Sequence, residues 1–82
     1  MTKPSEWDAP IIIRRSTDTA VIGDAQAAID FLDHQWPEQR GYLFNLARRR
    51  CQANLDDPKA GKAARLAFHA AIAEIGMFPR ER

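Results

Sequence analysis

The chain has 82 residues, 45 % of them apolar, with 12 Lys and Arg against 11 Asp and Glu for a formal charge of +1. That length holds one domain near the lower edge of independent stability, since small domains bury only about 60 % of the surface their unfolded chains expose. The composition excludes a disordered chain, and the near-neutral balance speaks against a dedicated nucleic-acid or membrane-surface binder, which is normally clearly basic.

The charge is uneven along the chain. Residues 1–41 carry four basic and seven acidic groups, and residues 42–82 carry eight basic and four acidic, so the halves stand at −3 and +4. The simplest reading is a domain whose halves attract each other, and the sharper one is a basic face for a partner. The opening residues lack the long apolar stretch of a signal peptide. No run approaches the roughly 20 apolar residues of a membrane span. The single cysteine, Cys51, cannot form an internal disulfide. A cytoplasmic protein without a membrane role is expected.

Residues 1–9 are polar and punctuated by proline, and read as a flexible lead-in apart from Trp7. The run Pro10-Ile11-Ile12-Ile13 follows, and three β-branched residues in succession favour a pleated strand. Thr19 to Ile22 reads as a second strand, and the short polar connection predicts an antiparallel hairpin. Asp24 is placed to cap a first helix, in which Ala25, Ala28, Ile29 and Leu32 recur at helical spacing as far as His34. Trp36-Pro37 breaks that helix, with Pro37 suited to the first turn of a second.

The second helix is expected to run to about Leu55. Tyr42, Leu43, Phe44, Leu46, Ala47, Cys51, Ala53 and Leu55 spread over more than half its circumference, which predicts burial on more than one side. Arg50 falls inside that apolar arc, where pairing with a carboxylate would accommodate it. Asp57 and Pro58 open a third helix, whose Ala64, Ala67, Phe68, Ala71, Ile72 and Ile75 mark one buried face, with Gly76 as the C-terminal cap. Met77-Phe78-Pro79 is left as a short third strand or a cover for the core. The expected fold is α+β: an N-terminal β-hairpin, three helices and an optional C-terminal strand, in one domain over residues 10–79 with a tail at 80–82.

Laid out this way, the chain resembles the bacterial family called domain of unknown function 982, small single-domain proteins of alphaproteobacteria. The likeness rests on Trp7 ahead of Ala9-Pro10 and the aliphatic strand, on Ala28 and Leu32, on Trp36-Pro37 and Gly41, and on Ala47 with Cys51. Ala64-Arg65, Phe68, Ala71 and Gly76 extend it through the third helix. The resemblance implies a compact cytoplasmic α+β domain. It brings no catalytic or ligand residues with it.

A Cys–His nucleophile needs a thiolate in an electropositive, partly exposed place, whereas Cys51 sits on an apolar helix face and reads as a small core hydrophobe. A zinc site needs four ligands at short paired spacings, and His34, His69 and Cys51 do not supply them. Asp56-Asp57 is a helix break, Asp30 and Asp33 lie on a polar face, and Gly23, Gly41, Gly61 and Gly76 form no phosphate loop. The expectation is therefore no enzyme, no metal and no cofactor.

Two surfaces remain as candidates. Arg14, Arg15, Arg48 and Arg49 are candidate anion or nucleic-acid contacts, which Arg40, Lys59, Lys62 and Arg65 would join if the fold gathers them. The aromatics Phe31, Tyr42, Phe44 and Phe68 read as interior, which removes the base-stacking partners a single-strand binder uses. The hairpin offers the other surface. Ile11 and Ile13 point one way and Ile12 the other, and Val21 and Ile22 also oppose each other, so both faces carry apolar groups. Trp7 or Met77-Phe78 would cover the second face within one chain. Otherwise Trp7, Ile12 and Ile22 form a self-association surface, assisted by Ala60, Ala63, Ala70 and Ala73. The leading reading is a non-enzymatic protein-interaction or regulatory module able to form a homodimer or to bind another protein, with a weak nucleic-acid binder as the alternative.

Overall fold

In the computed structural model, which describes residues 5–14, 19–36 and 41–74, the isoleucine run lies in the second half of β1 (Glu6–Arg14), antiparallel to β2 (Thr19–Asp24). The register pairs Arg14 with Thr19, Ile13 with Ala20, Ile12 with Val21 and Ile11 with Ile22, and resumes only at Glu6 with Asp24. The four residues Trp7 to Pro10 thus stand opposite the single Gly23. Proline explains the interruption: Pro10 has no N–H to contribute to the ladder, so the strand bulges there. The strand begins four residues earlier than the sequence suggests, and residues 6–9 belong to it rather than to a lead-in.

Three helices follow the hairpin, α1 (Ala25–His34), α2 (Tyr42–Asp56) and α3 (Gly61–Glu74), and α1 and α3 pack on one side of it. Asp24 caps α1 as its sequence position predicts, with Oδ1 accepting from the Ala27 N–H at 2.8 Å. The Ala25 N–H donates to the Ser5 carbonyl at 3.0 Å, so the first turn of α1 also fixes the start of β1. Gly41 is extended and caps α2, so α2 starts at Tyr42 and does not reach back to Pro37, which lies outside the described residues. Asp57 caps a single 3-10 turn, Pro58–Ala60, through a bond from the Lys59 N–H, and this turn leads directly into α3. Ile75, Gly76 and the optional strand at Met77-Phe78-Pro79 fall outside the described residues.

Helix α2 packs against both α1 and α3, while α3 reaches β1 and α1 reaches β2. Between the layers lie Trp7, Ile11, Ile13 and Ile22 of the hairpin, then Ala28, Phe31 and Leu32, Phe44, Ala47 and Cys51, and Ala64, Phe68, Ala71 and Ile72. Phe68 is the hub of an aromatic group, with Trp7 and Phe31 each 6.0 Å from its ring centre and Trp36 at 6.5 Å. The buried stripe of α3 is the one its sequence period marks. That of α2 is narrower than expected: Phe44, Ala47, Cys51 and Asn54 are buried, whereas Tyr42 is 71 % exposed. The far side of α2 meets solvent, and Ala53 and Arg50 face it there.

Candidate interaction surface

Of the three residues expected to form a self-association surface, two are in the core. Trp7 is 5 % exposed and Ile22 is 4 % exposed. Trp7 lies on the helix-facing side with Ile11 and Ile13, with which it shares the two-residue period of the strand, and there its ring meets Phe68 and its Nε1–H donates to Asn54 Oδ1 at 2.9 Å. Ile22 faces Ile11 across the ladder and shares its side. Trp7 therefore does not cover the outer face of the hairpin.

Ile12 is left on that outer face, and its cross-strand partner is Val21. They are 38 % and 60 % exposed, side by side on a strand pair whose other face is filled by helices. Such apolar cross-strand neighbours on the water side are the reverse of the usual alternation for a sheet covered on one face. The edge of β1 is protected at one point. Arg65 Nε donates to the Ala9 carbonyl at 2.7 Å, which takes that acceptor from an incoming strand.

The arginine candidates separate. Arg48 holds Asp33 in a two-pronged contact, Nε to Oδ1 at 2.8 Å and Nη2 to Oδ2 at 3.1 Å, joining α2 to α1. That bond and the carboxylate charge raise the guanidinium pKa. Asp33 belongs to the acidic half of the chain and Arg48 to the basic half, and at this point the halves do attract each other. Arg49 is exposed. Arg14 lies at the end of β1 opposite Thr19, and Arg15 and Arg40 lie outside the described residues. Of the aromatics read as interior, Phe31, Phe44 and Phe68 are buried and Tyr42 is not.

Cys51 is fully buried, and the cost of placing a thiolate there pushes its pKa up to about 12. At neutral pH it is a thiol, without the charge that a nucleophile or metal ligand requires. His34 ends α1 with Nδ1 3.0 Å from the Asp30 carbonyl oxygen, and His69 is half-buried on α3. Among the described residues, no three His, Cys, Asp or Glu side chains are grouped to hold a metal ion. No helix among them is long and apolar enough to cross a membrane.

Asn54 was not legible as a structural residue from its type alone. Its position is informative: Phe44, Ala47, Cys51 and Asn54 follow the 3-4-3 spacing of one buried stripe, and an amide on such a stripe must find partners. It accepts from Trp7 and donates through Nδ2 to the Asp57 carbonyl at 3.0 Å.

No curated protein matches the chain. The NMR structure of the Agrobacterium tumefaciens protein Atu1219 is similar, at 31 % identity and a TM-score of 0.75, over 98 % of this chain and 81 % of that one. The family model described as protein of unknown function (DUF982) matches residues 9–78, and by that match the chain belongs to this family.

Proposed function

We propose that this protein is a non-enzymatic interaction module that works through the solvent side of its hairpin, pairing there with a second copy of itself. The observation that carries this reading is the exposed Ile12–Val21 cross-strand pair on a two-stranded sheet. Water-facing apolar neighbours gain by being covered, at roughly 25 cal/mol per Å² of surface removed from water. The pairing of Arg48 with Asp33 takes one cation away from the alternative, nucleic-acid reading.

The test is molecular mass by light scattering over a range of protein concentration. The wild type is expected to exceed the 9.3 kDa monomer as concentration rises. Ile12→Lys and Val21→Lys should each return it to the monomer with the helical circular dichroism unchanged. A wild type that stays monomeric at millimolar concentration overturns the reading.

A further inference from the structure

A second feature of the surface lies away from the hairpin's outer face. Between the bulge of β1 and the start of α3 is an open cleft of about 240 Å³, lined by Glu6, Trp7 and Asp8 on one wall and by Pro58, Lys59, Gly61, Lys62 and Arg65 on the other. The lining carries both signs of charge, with Glu6 and Asp8 from β1 and Lys59, Lys62 and Arg65 from the start of α3. Here, as at Asp33 and Arg48, the acidic half of the chain meets the basic half. In the cleft, however, the charges do not close on one another. Glu6, Asp8, Lys59 and Lys62 are exposed, and among the described residues no ion pair within 4.0 Å joins the two walls.

The surroundings of these charges are held in place. Trp7, the one buried residue of the lining, is fixed by Asn54 and Phe68. Arg65 is fixed through Nε by the Ala9 carbonyl, which leaves its two terminal amino groups for another partner. Gly61 adds a further sign. Its φ of −62° and ψ of −42° are ordinary right-handed helix, and a Cβ there would make only van der Waals contact with the Asn54 amide, 3.6 Å away. Neither the backbone nor the packing requires glycine. What the missing side chain does leave is room in the cleft.

We propose that this cleft binds a small zwitterion of the amino-acid class, its carboxylate held by Lys59, Lys62 and Arg65 and its ammonium by Glu6 and Asp8. The acidic wall repels the polyanions that a purely basic groove would take. The volume is below the roughly 300–1,000 Å³ of sites for drug-sized ligands, which limits the guest to a small molecule.

The experiment is a titration of the ¹⁵N-labelled protein with γ-aminobutyrate and ε-aminocaproate, each against its matched fatty acid and its matched amine. Saturable shifts are expected at the Trp7 indole N–H and at the backbone amides of residues 59–65. At least one of the two zwitterions should bind about fivefold more tightly than either of its single-charge analogues, the scale of one exposed ion pair. Lys62→Gln and Asp8→Asn should each remove that advantage. Both residues are exposed, and the unshifted remainder of the spectrum reports that the fold is kept. Equal responses to zwitterion, acid and amine overturn the proposal, as does the absence of saturable shifts. Its failure leaves the hairpin reading untouched, because Ile12 and Val21 do not line the cleft.

Discussion

Trp7 and Asn54, 47 positions apart, are joined by a buried 2.9 Å hydrogen bond from the indole Nε1–H to the amide oxygen. The same amide reaches on to the Asp57 carbonyl, so one side chain ties the strand bulge to the end of α2 and to the turn that precedes α3. Asn54→Ala would leave the indole N–H without a partner in the core. An unsatisfied buried donor costs about 1–3 kcal/mol, and a loss of about 2–3 kcal/mol is expected in urea unfolding. A change below 0.5 kcal/mol would show that water replaces the amide.

Cys51 should react with iodoacetamide slowly in the folded protein and rapidly in denaturant, because the buried thiol is both inaccessible and protonated. Its folded-state pKa lies above the unfolded value of about 8.5. The stability linked to it is therefore complete below that value and is lost as pH rises toward 12. Thermal unfolding at pH 8 and pH 11 reads this, with the lower midpoint expected at pH 11, and Cys51→Ala should flatten that part of the decline.

The Arg48–Asp33 pair is well formed but a third exposed on both sides, at 37 % and 33 %. Exposed pairs contribute about 0.2–1 kcal/mol. A double-mutant cycle with Arg48→Ala and Asp33→Ala should give a coupling in that range, falling as salt is added. A coupling above 2 kcal/mol, insensitive to salt, would mean that the pair is shielded from solvent.

Gly61→Ala should stabilise the protein by about 0.4–1 kcal/mol, because alanine adopts the right-handed backbone of this position and has less freedom to lose from the unfolded chain. For a domain of this size, 1 kcal/mol moves the melting temperature by roughly 4–8 °C. A lower midpoint would mean that the new methyl group displaces Asn54 from Trp7.

The hairpin, the Asp24 cap, the Asp57-Pro58 start and the buried face of α3 were legible because each rests on local chemistry: β-branched runs, a capping carboxylate, a proline and a single clean period. What was not legible depended on partners distant in sequence. Trp7 reads as an isolated aromatic until β1 is seen to extend back to Glu6, which puts it on the face of Ile11 and Ile13 and against Phe68. Ile12 and Ile22 look alike in the sequence, and only the register places one in water and the other in the core. Arg48 looks as free as Arg49 until α1 brings Asp33 beside it. The buried stripe of α2 is narrower than its apolar arc for a related reason. An apolar residue such as Tyr42 is permitted on the surface, so periodicity bounds what is buried without selecting it.

The interrupted register of β1 also divides that strand by the order in which its contacts can form. Ile11 to Arg14 pair with residues a few positions away across the hairpin, whereas the segment from Trp7 to Pro10 is held by Asn54 and by Arg65, 47 and 56 positions distant. Short-range closure loses little chain entropy and long-range closure loses more. The two halves of one strand thus belong to different cooperative units, the first zipping with β2 and the second docking only once α2 and α3 are assembled. In native-state amide exchange, the Trp7 indole should open together with the end of α2, not with the isoleucines that follow it in the chain.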